Sequence, residues 1–411
     1  MTSHPHSSAA RARSVADHAA AVAQLLGPLR SADRTESRPL AQALGRGLAD
    51  DVAAPISLPP FANSQMDGYA VRSRDIPDAG AELRIVPPVP AGSSPQPLGP
   101  GTAAPIMTGA MIPEGADAVV PIERAVPDRF LEPGHAGTVK LPPTAPGTFV
   151  RSAGSDIPAG EQALAAGTCL GPAQLGLLAA LGIPEVRVHK AVTVLLVTTG
   201  DEVVEPGSPL PPGKIYDSNG TLLEAAMTQA GLNVRRAGIS TDSPEDLRAL
   251  LRTQGQGADL ILTTGGVSKG AYEVVRQATA DQPVDFLHVA MQPGGPQGMG
   301  TFDGVPFLGF PGNPVSCLVS FEMFLRPALS ALLGAPASRL PLRARLAGSL
   351  TSPEHKHQVR RGSLRPGGTV QLEGGEGSHL MHALAGSNVL VHVPAGVTEL
   401  AAGDEVEVWM L

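Results

Sequence analysis

Apolar and polar positions follow several different periods along the 411 residues, and each period predicts its own kind of element. Apolar side chains recur at helical spacing in residues 14–26 and again in 39–48, which predicts two helices. Residues 51–146 carry short apolar runs between recurrent prolines and glycines, which is typical of strands with long loops. The run LGLLAALG within residues 171–182 predicts a further helix that ends on a glycine. A β-rich stretch is therefore expected between helical ones.

Strands and helices alternate from Ala191 onwards. The run VTVLLV is continuous and β-branched, as expected of a strand that is buried on both faces. Further strands are predicted at VRRAGI, DLILTT and VPFLGF, and helices at residues 219–230, 244–252, 272–280 and 315–333. This alternation predicts a doubly wound parallel sheet. The short alternating runs LRARLAG, NVLVHV and DEVEVWM then predict a small β-barrel.

Together these patterns predict an α/β multidomain protein. Its expected segments are a disordered tail at 1–12, a helical linker domain formed by 13–50 and 147–190, an inserted β-rich domain at 51–146, an α/β domain at 191–337 and a C-terminal β-barrel domain at 338–411.

Composition removes several classes of function. A net charge of −8 and few aromatic residues (Phe 9, Tyr 3, Trp 1) argue against a nucleic-acid partner. The cysteines, Cys169 and Cys317, cannot form a disulfide framework or a Cys-rich zinc site, and both are expected to be core thiols. The N-terminus lacks a signal-like apolar stretch, and no apolar run reaches the roughly 18 residues of a membrane span. A cytoplasmic protein without a membrane partner is expected.

Candidate chemistry lies in three glycine-containing loops that follow strands, at residues 199–202 (TGDE), 264–268 (TGGVS) and 311–314 (PGNP). Ligands of open α/β sheets bind outside the carboxyl ends of the strands. Glycine lets backbone N–H groups approach a phosphate or another oxyanion closely. One such loop is most often just a turn, but three on one sheet favour an anion site.

Acidic residues share this edge, namely Asp201, Glu202, Asp217 and Asp242. Carboxylates beside a phosphate site suggest Mg²⁺, which prefers oxygen ligands. Capping is the alternative for two of them, because Asp217 and Asp242 precede predicted helices. Both interpretations stay open for those two residues. The adjacent acids Asp201 and Glu202 have no obvious structural duty.

Other candidates give weaker signals. Residues 63–71 and 106–120 place polar groups beside short strands, but each is more simply a turn followed by a strand. The histidines supply no three-ligand metal set, although His379 is a candidate for contact with a ligand.

Six segments, taken in order, resemble the molybdopterin molybdenumtransferase family, which comprises MoeA and the C-terminal part of gephyrin. They are SQMDGYAV, IMTGAMIPEGADAVVPIE, TGDEVVEPG, GKIYDSNG, TTGGVS and GFPGNPVSC. The resemblance implies an elongated homodimer of four-domain subunits. It also implies insertion of molybdate into adenylylated molybdopterin with Mg²⁺ and release of AMP.

The resemblance also implies roles for individual residues. Asp67 and Thr108 of one subunit would face the α/β domain of the other, with Asp156 as a further acid of that cleft. Glu202 and Asp242 would be the functional acids of the α/β domain. The metal ligands would be Asp201, Glu202 and Asp242. The remaining expected contacts with the substrate are Thr199, Gly200, Asp201, Asp217, Gly265, Gly266, Ser268, Glu273, Pro311, Gly312, Asn313, Pro314, Arg361 and Ser378.

Two departures from the family pattern stand out. Residues 292–296 read QPGGP, without the lysines common there, and His288 stands where another lysine is often found. Lys269 and Arg276 are candidates to compensate. After GGVS, Ala271 replaces one family aspartate, and Glu273 is the candidate for a second.

These departures keep other hypotheses open. The chain could be a molybdopterin-binding paralogue without insertase activity, or an insertase for tungstate. A different enzyme on the same α/β domain, such as a nucleotide pyrophosphatase or the molybdopterin adenylyltransferase, is disfavoured by the β-rich insertion. Expected protein partners are a second copy of the chain, the adenylyltransferase and maturation proteins of molybdoenzymes.

Overall fold

The computed structural model describes residues 12–131, 137–240, 242–267 and 274–411, with the side chains of residues 239 and 240 left aside. These residues divide into two compact units. The large unit comprises the described parts of Met1–Asp50, Ala166–Gly171 and Glu185–Leu411. The inserted unit comprises the described parts of Asp51–Ala165 and Pro172–Pro184.

Helices and strands of both units follow one another along the chain. The large unit begins with α1 (Val15–Leu25) and β1 (Thr35–Pro39). The inserted unit contains β2 (Val52–Ala53), β3 (Asn63–Ser64), β4 (Gly68–Val71), β5 (Ala81–Ile85), β6 (Thr102–Ile106), β7 (Ala118–Pro121), β8 (Thr138–Leu141), β9 (Val150–Arg151), β10 (Gln162–Leu164) and α2 (Pro172–Ala180). The α/β part contains β11 (Glu185–His189), β12 (Thr193–Thr199), β13 (Val203–Val204), β14 (Ile215–Tyr216), α3 (Ser218–Gln229), β15 (Asn233–Ser240), α4 (Pro244–Gln254), β16 (Leu260–Thr264), α5 (Val274–Ala278), β17 (Val284–His288), β18 (Met291–Gln292), β19 (Pro296–Phe302), β20 (Val305–Phe310), α6 (Pro314–Ser320) and α7 (Arg326–Leu333). The C-terminal part contains β21 (Pro341–Leu346), β22 (Leu350–Thr351), β23 (His357–Arg365), β24 (Thr369–Leu372), α8 (Met381–Ala385), β25 (Val389–Val393), β26 (Glu399–Leu400) and β27 (Glu405–Met410).

The first predicted helix is confirmed as α1. The Ser14 hydroxyl caps its N-terminus by accepting the backbone N–H of Asp17 at 3.0 Å.

The prediction of a second helix, over residues 39–48, is wrong. Only a 3₁₀ turn at Leu40–Gln42 forms there, and the preceding residues form β1, which pairs antiparallel with β11. The apolar spacing predicted a helix wrongly because Leu44, one of its three leucines, is 62% exposed and belongs to no buried face. Gly45, at a φ of 73°, turns the chain away from a helix.

The inserted unit is β-rich, as its short apolar runs predicted. Its main sheet has the strand order β7-β4-β6-β5-β8 among the described residues. Buried side chains from these strands, with Tyr69 at their centre, form the core of the sheet. The unit therefore has a hydrophobic core of its own.

The large unit is built on a sheet with the order β15-β12-β16-β20-β19-β17. The first four strands are parallel, and helices cover both faces, so the predicted doubly wound sheet is confirmed. β19 and β17 add antiparallel strands that the sequence pattern did not indicate. The glycines of PQGMGTF hide β19, because they interrupt the apolar alternation by which strands are recognised.

Residues Pro314–Leu333 form one continuous helical run that includes a π-helical turn at Phe321–Leu325. The run is long and apolar enough to cross a membrane by length and composition, contrary to the sequence expectation. However, 78% of its most apolar stretch of 18 residues is buried inside the molecule, as expected of a core helix. Its one acid, Glu322, is 1% exposed and accepts hydrogen bonds from Arg326 at 2.7 Å and Arg339 at 2.9 Å. These bonds satisfy the buried carboxylate.

The C-terminal strands close into a barrel, as predicted. The sheet order is β23-β24-β21-β27-β25, and the additional pairing of β23 with β25 closes it. β18, which lies between two strands of the α/β sheet in sequence, pairs parallel with β23. This pairing brings residues 291–292 of the α/β part against the barrel.

Candidate active site

A cavity of about 1000 Å³ lies at the carboxyl ends of β12, β16 and β20. One wall is the sheet edge, and another is formed by β18 with residues of the C-terminal part. The lining residues are Thr198, Thr199, Gly200, Glu202, Val203, Ile215, Tyr216, Asp217, Ser218, Asn219, Asp242, Gly265, Gly266, Val267, His288, Met291, Gln292, Pro293, Gly294, Gly295, Pro296, Pro311, Gly312, Asn313, Pro314, Ser316, Lys356, Glu376, Gly377, Ser378, His379 and Met381. All three predicted strand-end loops reach this cavity.

Glycine is required in two of these loops by close approaches. A Cβ on Gly265, at a φ of 94°, would lie 2.8 Å from the hydroxyl oxygen of Thr199 on the neighbouring loop. A Cβ on Gly200, at a φ of 132°, would lie 2.6 Å from the carboxylate of Glu202. Such contacts are shorter than real Cβ contacts. Glycine therefore lets the two loops meet and lets the Glu202 carboxylate fold over its own turn.

Asn219 ties two of the three loops together, a role that the sequence did not reveal. Its Nδ2 donates to the Thr264 hydroxyl at 3.0 Å and to the carbonyl of Gly312 at 2.6 Å. Its Oδ1 is buried and accepts no hydrogen bond from the described residues. The Thr264 hydroxyl also contacts the Cys317 sulfur at 3.1 Å. The side chain at the start of α3 therefore fixes the ends of β16 and β20.

Asp217 serves the fold at this edge. Its carboxylate accepts the Gly220 N–H at 2.8 Å, which caps α3, and the Thr198 hydroxyl at 2.9 Å. The guanidinium of Arg236 pairs with it at 2.7 Å, and the Asp217 side chain is only 1% exposed. The capping interpretation therefore holds for Asp217, which reaches the cavity wall with its carboxylate already engaged.

Asp242 does not cap a helix. Ser243 caps α4 by accepting the N–H of Asp246 at 3.2 Å. Asp242 instead faces Asp201, and each carboxylate accepts the backbone N–H of the other, at 2.9 and 3.3 Å. The Lys214 ammonium donates to the Asp201 carbonyl. The loops that follow β12 and β15 are thereby joined.

The expected metal set of Asp201, Glu202 and Asp242 is not present as a closed group. Among the described residues, no three His, Cys, Asp or Glu side chains are arranged to hold a metal ion. Asp201 and Asp242 each use one oxygen on the N–H of the other. The exposed carboxylate of Glu202 makes no hydrogen bond or ion pair with the described part of the chain.

The C-terminal part contributes the other wall. The carbonyl of Ser378 accepts the N–H of Val315 at 3.1 Å, in the first turn of α6, so the predicted residue Ser378 does reach the cavity. Arg361 does not line it. Arg361 is 1% exposed inside the barrel and donates to the Gly375 carbonyl, and burial lowers the pKa of its guanidinium. It therefore fixes the loop that carries Glu376.

Asp67 and Thr108 lie together in the inserted unit. One carboxylate oxygen of Asp67 accepts both the hydroxyl of Thr108, at 2.7 Å, and its backbone N–H, at 2.6 Å. These bonds, the hydroxyl first, lower the pKa of the exposed Asp67 carboxyl. Asp156 is an exposed residue of the same unit. Residues 63–71 and 106–120, each predicted more simply as a turn followed by a strand, are thus joined by the hydrogen bonds between Asp67 and Thr108.

Several other predicted residues lie outside the cavity or outside the described part of the chain. Ser268 and Glu273, with the candidate cation Lys269, lie outside the described residues. Arg276 lies over the Phe286 ring at 4.7 Å and does not line the cavity. Cys317 is a core thiol as expected, because burial raises its pKa to about 12 and it donates to the Pro311 carbonyl at 2.8 Å.

Family models match almost the whole chain. They are the MoeA N-terminal region (domain I and II) at residues 13–182, the probable molybdopterin binding domain at 195–331 and the MoeA C-terminal region (domain IV) at 343–411. Molybdopterin molybdenumtransferase 2 of Mycobacterium tuberculosis (strain ATCC 25618 / H37Rv) is 44% identical over 97% of this chain and 100% of its own. The molybdopterin molybdenumtransferase of Nostoc sp. is 36% identical over 97% of this chain and 94% of its own.

Solved structures agree with this assignment. A crystal structure of the molybdopterin biosynthesis MoeA protein from Pyrococcus horikoshii OT3 covers 98% of this chain and 100% of its own, with a TM-score of 0.83 and 26% identity. A second Pyrococcus MoeA structure covers 97% of this chain and 99% of its own, with a TM-score of 0.77 and 31% identity.

Proposed function

The chain belongs to the molybdopterin molybdenumtransferase family of transferases in molybdenum cofactor biosynthesis, and we propose that it inserts molybdate into adenylylated molybdopterin with Mg²⁺ and release of AMP. The observation that carries the proposal is the large cavity on which three glycine-containing strand-end loops and the acid Glu202 converge. Its volume of about 1000 Å³ suits a ligand larger than a single nucleotide.

The loops suit the anionic parts of this substrate. Release of AMP breaks a phosphoanhydride bond, so negative charge develops on the phosphate oxygens of the leaving AMP. Backbone N–H groups at Gly200 and Gly312 can approach such oxygens closely, and fixed donors stabilise developing charge without reorganisation. The N–H of Gly265 already donates to the Phe310 carbonyl at 3.1 Å and fixes its loop against β20. Asn219 holds two of these loops in place through the Thr264 hydroxyl and the Gly312 carbonyl.

Glu202 is the acid that we assign to the reaction. Its carboxylate makes no hydrogen bond or ion pair with the residues that the structure describes, whereas the neighbouring acids Asp201 and Asp242 hold each other. Mg²⁺ is usually bound by one or two carboxylates together with substrate phosphates and water, so a closed three-residue cage is not needed. Glu202 and Asp242 would hold the cation, which would supply charge neutralisation between the substrate phosphates and the acids. Asp201 then acts as a positioning residue.

The inserted unit contributes in the homodimer that we propose. Asp67, Thr108 and Asp156 would complete the cavity of the partner subunit. In support, hydrogen bonds from Thr108 lower the pKa of the exposed Asp67 carboxyl and fix the direction of the carboxylate. An ordered carboxylate on the surface of a unit is suited to orient a group that another chain presents.

A binding protein without insertase activity is the second candidate. The lysine-free segment at 292–296, which lines the cavity, favours it. Titration of the purified chain with adenylylated molybdopterin, followed by turnover with molybdate or tungstate, separates the candidates. Binding with no turnover on either oxyanion supports the binding protein, and turnover on tungstate alone supports a tungstate insertase. A cytoplasmic location and protein partners in the pathway remain expectations.

A further inference from the structure

A second cavity, of about 480 Å³, lies within the large unit. Its lining residues are Arg30, Ala32, Thr35, Ala49, Asp50, Ala166, Gly167, Arg187, His189, Ser330, Ala331, Leu332 and Gly334. They come from residues 30–50, residues 166–167, β11 and the C-terminal end of α7. The two cavities share no lining residue, so the proposed insertion of molybdate gives this second one no role.

The positive side chains of this wall outnumber its acid. The cations are Arg30 and Arg187, and Asp50 is the only carboxylate among the described lining residues. Asp50 pairs with Arg187 at 3.2 Å, and Arg187 also donates to the Thr35 hydroxyl at 2.7 Å. The guanidinium of Arg30 makes no hydrogen bond or ion pair with any described residue. One positive charge of the wall therefore has no counter-ion in that part of the chain.

His189 reports the sign of the electrostatic field in the cavity. The residue is half-buried, and its Nδ1 is buried without a hydrogen-bond partner among the described atoms, which leaves Nε2 as the ring nitrogen open to solvent. Burial, then the positive charge of Arg30, lowers the pKa of His189, and the opposing effect of Asp50 is the smaller one. The charges around the ring therefore produce a net positive field, which favours an anion.

The rest of the wall is small and apolar. Its side chains are those of Ala32, Ala49, Ala166, Ala331 and Leu332. A volume of about 480 Å³ is more than one tetrahedral anion fills and lies in the range of pockets for small organic ligands. A guanidinium matches the geometry of a phosphate group, whereas an apolar wall suits an organic group. The lining therefore fits a phosphate that carries an organic group.

We infer that this cavity binds a small phosphomonoester, with the phosphate at Arg30 and the organic group against the alanine-lined wall. Arg187 adds positive charge beside its pair with Asp50. His189 can donate through Nε2 once the phosphate is in place, because an adjacent anion favours the charged imidazole. Such a site goes beyond the proposed function and does not depend on it.

Phenyl phosphate is the probe, and NMR of the histidine rings is the readout. The His189 signal is identified by its loss in H189Q. His189 does not line the larger cavity, so phosphate bound there should leave this signal unchanged. In wild type, phenyl phosphate should shift the His189 signal and raise the pKa of the ring. The Kd for phenyl phosphate is read from the same signal.

The variant R30Q removes the guanidinium that has no counter-ion. Its Kd for phenyl phosphate should rise about tenfold or more, the range of a lost charged hydrogen bond. Arg343 is an exposed residue of β21 outside this cavity, so R343Q is the matched control and should bind as wild type. Inorganic phosphate should bind wild type at least about threefold more weakly than phenyl phosphate, because it leaves the apolar wall uncovered.

The variant D50N should act in the opposite direction. It removes the negative charge beside the phosphate and releases Arg187 from its ion pair. The Kd for phenyl phosphate should therefore fall about threefold, the scale of one screened charge near a protein surface. Loss of the fold cannot mimic this result, because a damaged cavity would not bind more tightly.

Three results would overturn the site. They are a His189 signal that does not respond to phenyl phosphate, an R30Q protein that binds as wild type, and a D50N protein that binds no more tightly. Equal binding of inorganic phosphate and phenyl phosphate would overturn the phosphomonoester as the ligand. All of these measurements are made without turnover, so they decide the second site even if wild type releases no AMP.

Discussion

Asp201 and Asp242 hold each other by their backbones, because each carboxylate accepts the N–H of the other residue. The bond from Asp242 N–H to Asp201 Oδ1 is 2.9 Å, and the return bond to Asp242 Oδ2 is 3.3 Å. Two loops at the edge of the sheet are thereby joined, and Glu202, the next residue after Asp201, has a carboxylate that no described residue engages. Within this acidic cluster, Asp201 therefore has a positioning role, whereas Glu202 is the acid that we assign to the reaction.

The first prediction concerns Asp201, whose duty in this account is to accept the N–H of Asp242. An amide oxygen can still accept that bond, although more weakly than a carboxylate, so D201N should keep AMP release within about threefold of wild type. D201A removes the acceptor and should lower the rate by about tenfold or more. Steady-state assays of both variants check this. A D201N protein as impaired as D201A would instead mark the negative charge itself as essential.

The second prediction concerns Glu202, whose carboxylate has no partner within the described ranges of the chain. E202Q should lose at least about 100-fold in kcat, because it removes a carboxylate that would hold the cation, whose charge stabilisation is worth several kcal/mol. Its melting temperature should stay near the wild-type value, because the exposed Glu202 side chain makes no hydrogen bond or ion pair with the described residues and the backbone bond from Ile215 N–H to the Glu202 carbonyl is kept. Glu205 is nearby but does not line the cavity, so E205Q is the matched control and should retain activity. Wild-type turnover by E202Q would remove the role assigned to this residue.

The third prediction concerns stability against pH. His392 is buried, its Nδ1 lies 3.1 Å from His357, and its Nε2 has no partner among the described atoms. Burial, then the neighbouring His357, lowers the pKa of His392 to about 3. The unfolded chain therefore binds the proton more readily, so the stability that this group contributes is present above pH 6.5. It is lost as pH falls towards the folded pKa.

Urea unfolding at pH 7 and pH 5 measures this effect. Between these values wild type should lose about 2 kcal/mol more than H392Q, since the unfolded histidine titrates near 6.5. His355 is a suitable control because its side chain is 89% exposed, and H355Q should keep the wild-type dependence. Equal losses in wild type and H392Q would contradict the prediction.

The fourth prediction tests the proposed contribution of one subunit to the cavity of the other. D67N and E202Q should each be inactive alone. After unfolding and refolding in an equal mixture, half of the dimers are mixed, and each mixed dimer carries one intact site. The mixture should therefore recover about a quarter of wild-type activity. If Asp67 and Glu202 of the same subunit served one site, mixing would recover nothing.

Much of the fold could be predicted from the sequence, because its signals are local. The β-branched run of β12 and the Ser14 cap of α1 act within a few residues. The misses have non-local causes. Residues 39–48 have helical spacing but do not bury it as one face, because Leu48 is buried whereas Leu44 is exposed. The strand β19 is hidden by its glycines and is defined only by its pairing.

The candidate site was predicted by its loops but not by its connections. Glycines at strand ends are visible in sequence, so Gly200 and Gly265 could be named in advance. The tie made by Asn219 joins residues 45 and 93 positions away, which no spacing rule indicates. Lys356 was likewise missed, because it reaches the cavity only through the pairing of β18 with β23.

The central claim is insertion of molybdate coupled to release of AMP, and one assay tests it most directly. Purified chain is incubated with adenylylated molybdopterin and Mg²⁺, and AMP is measured with and without molybdate. The account predicts that molybdate stimulates AMP release and that removing the cation with a chelator abolishes it. Binding of adenylylated molybdopterin with AMP release that neither molybdate nor tungstate changes would contradict it.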